Sequence, residues 1–83
     1  MDIPVPPNQP PKLIRTQLAQ SRVIAKGTKI RDIQRLLAEY GGLAGKWVKK
    51  SSPPLMIESR LAEVHWYEHP GIGRVEQKVK WLD

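Results

Sequence analysis

The chain has no cysteine and no phenylalanine, only two histidines, and eight acidic residues against fourteen lysines and arginines. Without cysteine, neither disulfides nor thiolate ligands can brace the fold, and His65 and His69 are too few for a plain zinc site. The expectation is therefore no metal and no cofactor. A deep cofactor cavity is also unexpected, because 83 residues make one small domain that buries a modest fraction of its surface. No apolar run approaches the roughly 18 residues of a spanning helix, and "MDIPVPPNQPP" lacks the basic-then-apolar build of a signal peptide. No membrane partner is expected. With no phenylalanine to supply area, Trp47, Trp66 and Trp81 are assigned chiefly to the core.

What is abundant is positive charge. A net charge of +6 and a pI near 10.0 suit a surface that attracts polyanions through counterion release and long-range steering. RNA, DNA or an acidic protein are the natural partners. The cations run from Lys12 to Lys80 rather than crowding one tail, which fits a folded basic surface. Solubility alone would also account for such a charge.

"IPVPPNQPP" holds five of the eight prolines and reads as an extended linker, residues 1–11, ahead of a single domain over 12–83. "KLIRTQLAQSRVIAK" has an imperfect helical period and predicts a helix over 12–26. "GTKIRDIQRLLAEYGG" predicts a clearer one, with Thr28 as N-cap, Ile30, Ile33, Leu36, Leu37 and Tyr40 at helical spacing, and Gly41 at the C-terminal position. Its other face carries Lys29, Arg31, Asp32, Arg35 and Glu39, a solvated surface with RNA contact as a minor alternative. "LAGKWVKKSSPP" suggests a short helix or tight loop pinned by Trp47, and "LMIE" a short strand. The fold class is α+β: two or three N-terminal helices packed on a small C-terminal antiparallel sheet containing a β-hairpin.

The hairpin lies in "EVHWYEHPGIGRVEQKVKW", Glu63 to Trp81. Alternation puts Ala62, Val64, Trp66, Val75, Val79 and Trp81 on an inner face with Gln77, and Glu63, His65, Tyr67, Arg74, Glu76, Lys78 and Lys80 on an outer one. A loop over 69–72 sets His65 against Glu76 and Glu63 against Lys78. A loop over 70–73 sets His65 against Lys78 and Tyr67 against Glu76. The first juxtaposes opposite charges and is preferred.

An outer face of this composition holds what metal-free RNA cleavage demands: a group to take the 2′-hydroxyl proton, one to protonate the leaving 5′-oxygen, and cations for the phosphate. Histidine as a residue type ordinarily titrates near neutral pH, and His65 is placed for one of the first two roles. Glu76 or Glu63 shares the proton work, Arg74 and Lys78 hold phosphate, and Tyr67 stacks a base or donates a hydrogen bond. Lys46, Lys49, Lys50 and Ser51 form a further anion-binding stretch. Against this stands a plain reading. A half-buried antiparallel sheet normally has a polar outer face, the charged pairs stabilise hairpins by themselves, and His69 reads as a turn residue before Pro70.

The order "KGTKIRDIQRLLAEYGG", "WVKKSS", "EVHWYEHPGIGRVEQKVK", about residues 25–80, resembles the C-terminal toxin modules of secreted bacterial polymorphic toxins of the contact-dependent inhibition and RHS kinds. Many of these are compact ribonucleases in which helices precede an antiparallel sheet. The resemblance implies delivery into the cytoplasm of a target bacterium, a Pro-rich head left from the join to a delivery protein, and an acidic immunity protein as cognate partner. It assigns no catalytic residue. Gln77 stands where that pattern is usually aromatic or apolar, and the domain is small for the group, with room for about three strands. The expected function is a metal-independent endoribonuclease acting on RNA, tRNA included, and leaving a 2′,3′-cyclic phosphate. A non-catalytic nucleic-acid-binding module and a domain that binds an acidic protein are the alternatives.

Overall fold

A computed structural model describes residues 2–3 and 11–82, so the leader expected over 1–11 falls mostly outside the described residues. The chain runs β1 (Asp2–Ile3), α1 (Arg15–Ala19), β2 (Arg22–Lys26), a 3₁₀ turn (Gly27–Lys29), α2 (Ile33–Tyr40), a second 3₁₀ turn (Ala44–Lys46), β3 (Val48–Ser51), β4 (Leu55–Ile57), β5 (Arg60–His69) and β6 (Gly73–Trp81). The class is α+β, and the strands form one sheet. One edge of β5 pairs antiparallel with β4 at Arg60 to Ala62 and with β3 at His65 to Glu68, while β6 takes the other edge. Beyond β3 lies β2, antiparallel, and beyond β4 lies β1, parallel.

Several sequence expectations are corrected here. The helix expected over 12–26 is only Arg15–Ala19, followed by a strand. The Ser21 hydroxyl donates to the Leu18 carbonyl at 2.7 Å, competing with helical bonding, and the β-branched pair Val23 and Ile24 favours extension. Strand and helix are thus interleaved rather than helices preceding a sheet. The residues after Trp47 leave their 3₁₀ turn for a strand because they fill the ladder between β2 and β5, a long-range pairing that local propensity does not announce. Among the described residues six strands form where about three seemed possible.

The second helix starts at Ile33 with Asp32 at its N-cap rather than at Thr28. Gly27, at φ +58°, donates its N–H to the Trp47 carbonyl at 2.9 Å, pinning the 3₁₀ turn to the start of β3. The chain is committed to that turn before the helix can begin. Ile33 and Leu36 are buried, and Gly41, at φ +79°, ends the helix with its N–H on the Leu37 carbonyl.

Two apolar clusters form. Ala62, Val64 and Trp66 of β5 join Leu55 and Ile57, with Leu13, Leu18 and Val79 packed against them. Tyr67, one residue on from Trp66 and so on the opposite sheet face, joins Ile30, Ile33, Leu36 and Trp47, with Ala25 and Val75 alongside. Fully burying a side chain such as Leu36 contributes about 1.5–3 kcal/mol, so splitting the core still stabilises both faces. Trp47 and Trp66 are core residues as expected. Trp81 is not: it is 37% exposed, with the Arg60 guanidinium 4.1 Å from its ring centre.

The hairpin follows neither anticipated register throughout. His69 pairs with Gly73, Glu68 with Arg74 and Tyr67 with Val75. A bulge follows, after which His65 pairs with Lys78 and Glu63 with Lys80. Glu76 carries the bulge at φ +57°, so Glu76 and Gln77 together oppose Trp66. The extra residue reverses the facing of the strand. Val75 therefore packs with Tyr67, and Val79 with Val64 on the other face.

Candidate catalytic face beside a cationic groove

Where β2, β3, β5 and β6 lie side by side, ladder partners make a row across one sheet face: Arg22, Ser51, His65, Lys78. Glu63, two residues before His65 on the same strand, shares its face and stands opposite Lys80. The Glu63 carboxylate ties the row together. Its Oε1 lies 3.1 Å from His65 Nε2 and 3.1 Å from Ser51 Oγ, and its Oε2 accepts from Arg22 Nη2 at 3.2 Å. The His65 and Glu63 side chains are 14% and 12% exposed. The His65 bond, with smaller help from Arg22 and Ser51, outweighs burial and holds the Glu63 carboxyl below the ordinary carboxylate range.

Next to this row the same face drops into an open groove of about 390 Å³. It is lined by Ile24, Ala25, Ile30 and Tyr67, by the cations Lys29, Arg31, Lys49 and Lys78, and by Asp32. Lys78 belongs to both the groove and the row. Tyr67 forms part of the wall, 7% exposed, and its hydroxyl donates to Asp32 Oδ2 at 2.9 Å. The outward orientation expected for Tyr67 is thus corrected; Ile33 and Leu36 share its cluster and cover it. Burial first, and then the hydrogen bond to Asp32 and the charge of that carboxylate, push the phenol up to about 12.

Charge is unevenly distributed over this face. Arg35 gathers Asp32, Glu39 and Glu76, taking both Glu76 oxygens at 2.8 Å, and the Tyr40 hydroxyl adds a bond to Glu76 at 3.0 Å. Glu63 is taken by Arg22 and His65, and Glu68 by Lys50 at 3.2 Å. Among the described residues, Lys29, Arg31, Lys49 and Lys78 form no ion pair. Four groove cations therefore share one nearby carboxylate, Asp32, that is already engaged.

Of the residues singled out in the sequence, the fold brings together His65, Lys78, Lys49 and Ser51 on one face, with Tyr67 set into it. Ser51 is itself fully buried, with its hydroxyl also 2.8 Å from the Ser52 carbonyl. Glu76 is drawn to Arg35 and Tyr40, and Lys78 takes the place opposite His65 that Glu76 was expected to fill. Lys50 and Arg74 pair with Trp66 and Glu68, on the opposite face, and Lys46 is exposed at the end of its 3₁₀ turn. Arg22 was missed because it was read as helical, and the available signal was the β-branched "RVI" after the Gln20–Ser21 break. His69 acts as a turn residue, with Nδ1 accepting the Gly71 N–H at 3.0 Å and its ring edge-on to Trp47.

Among the described residues no three histidine, aspartate or glutamate side chains converge as a metal-ligand cluster, and no helix is long and apolar enough to cross a membrane. No protein-family profile, curated protein or solved structure matches the chain.

Proposed function

We propose that the chain is a metal-independent endoribonuclease that draws RNA into the cationic groove and cleaves it beside His65. The observation that carries this reading is the juxtaposition of a carboxylate-bonded histidine with four cations that form no ion pair among the described residues, one of which, Lys78, lies directly across the ladder from it. In this reading His65 takes the 2′-hydroxyl proton. The O2′–P bond forms as the P–O5′ bond breaks, the departing oxygen takes a proton from solvent, and a 2′,3′-cyclic phosphate remains. Lys78 and Lys49 hold the charge that builds on the phosphate, and the groove admits a base splayed out of its stack. The toxin resemblance adds a setting: delivery to another bacterium's cytoplasm, and an acidic protein that neutralises the enzyme by covering the same cations.

The test is incubation of the purified chain with total RNA and with tRNA in the presence of a chelator. Products ending in 2′,3′-cyclic phosphate are expected, with His65→Ala slower by about 10²-fold or more at unchanged circular dichroism. An unchanged rate in that variant removes His65 from the chemistry. Binding that weakens with rising salt but yields no product replaces the enzyme with a non-catalytic RNA-binding module.

A further inference from the structure

Resting on that assignment of His65, we propose that Glu63 is its positioning residue, holding the imidazole as the Nε2–H tautomer and leaving Nδ1 as the nitrogen that exchanges the proton. The argument starts from donor and acceptor capacity. An ionised carboxylate only accepts, so a neutral imidazole bonded to it through Nε2 must carry its proton there, and its other nitrogen is then the free base. Here Nε2 is the nitrogen 3.1 Å from Glu63 Oε1.

Glu63 is well held for this task. Arg22 binds Oε2 at 3.2 Å and the Ser51 hydroxyl lies 3.1 Å from Oε1, so the carboxylate is fixed from β2 and β3 while it orients a ring on β5. Its low exposure strengthens each of these bonds relative to water. Among the described residues every buried side-chain nitrogen or oxygen has a hydrogen-bond partner, and His65 Nδ1 has none. Nδ1 is therefore open to solvent. Around the ring stand Ser51 and Lys78, its ladder partners on either side, with Lys80 opposite Glu63. A phosphate drawn by Lys78 would arrive on the side of the sheet where the imidazole is exposed. Arg22, Ser51 and Glu63 thus form a support that touches no substrate, and His65 alone exchanges protons.

Tautomers are read directly from side-chain nitrogen-15 shifts, in protein labelled at histidine and held at alkaline pH so that both rings are neutral. The expected spectrum shows His65 protonated at Nε2 in the native chain, and a mixture of tautomers in Glu63→Ala. Cleavage by Glu63→Ala is expected to fall on the order of 10²-fold or more, the low end of what a positioned general base contributes. Glu63→Gln preserves the packing volume and serves where the alanine variant does not fold; its spectrum also should lose the strict Nε2–H preference. A native spectrum with the proton on Nδ1, or a preference that survives both substitutions, overturns the inference. Full cleavage by Glu63→Ala overturns it too, while leaving the ribonuclease reading intact. The expected tautomers without any cleavage by the native chain would support the positioning role and overturn the ribonuclease reading instead.

Discussion

At the residue scale, Tyr67 separates structural from chemical roles on this face. Its ring packs with Ile30, Ile33, Leu36 and Trp47, and its hydroxyl donates to Asp32. That bond is also the largest reason the Asp32 carboxyl sits below its ordinary value. Tyr67→Phe keeps the ring and removes one hydrogen bond, and water can reach the exposed side of Asp32. The expected cost is about 1 kcal/mol, read as a lower urea midpoint at constant slope. RNA cleavage by this variant is expected within about twofold of native, because the hydroxyl faces a carboxylate and not the His65 row. A collapse of cleavage with the fold intact would return Tyr67 to the catalytic group.

At the element scale, β6 shows where sequence alternation carries structural information and where it stops. In β5 the period of two places Ala62, Val64 and Trp66 on one face and Glu63 and His65 on the other, as their burial shows. The part of the row that β5 contributes, Glu63 and His65, and its apolar backing are thus legible from the residues alone. The partner strand is not, because a bulge inserts one residue without disturbing local alternation, and Gln77 in an apolar row was its only trace. Likewise "RVIAK" and "VKKS" are short and charged, with the β-branched Val23 and Ile24 as the chief local strand signal; their strand state comes from ladder partners 22 to 29 residues away, from Lys26–Val48 to Arg22–Ser51. The groove is formed by those same long-range pairings, so most of its cations were visible as residues but not as neighbours. The bulge also gives a direct test. Glu76 occupies left-handed backbone normally reserved for glycine and is held there with both carboxylate oxygens on Arg35. Glu76→Ala and Glu76→Gly both lose that ion pair, yet only alanine keeps a Cβ at φ +57°. The glycine variant is expected to be the more stable of the two by about 1 kcal/mol in urea unfolding. Equal midpoints would mean that the bulge relaxes once the carboxylate is gone.

At the scale of the whole molecule, eight acidic residues must serve fourteen cations, and the fold uses its carboxylates as ties between elements. Glu63 joins β5 to β2, Glu76 joins β6 to α2, Asp32 joins α2 to β5, and Glu68 joins β5 to β3. All four are held below the ordinary carboxylate range. For Glu63, Glu76 and Asp32 the leading cause is a bond from His65, Arg35 and Tyr67 respectively. For Glu68 the largest effect is burial, which pushes upward, but the Trp66 indole and Lys50 together outweigh it. A carboxyl with a depressed folded value stabilises the fold above its unfolded value, and that contribution is lost as pH falls through the folded one. Protonation also removes negative charge from a chain already at +6, so the groove cations then repel one another with fewer counter-charges. Thermal melting should therefore be nearly flat from pH 7 to pH 5 and fall steeply below about pH 4. Moderate salt should recover part of the loss by screening the cations, although it cannot restore the broken ties. A melting temperature that rises on acidification would show that these carboxylates oppose the fold, and the description of them as ties between strands and helix would have to be abandoned.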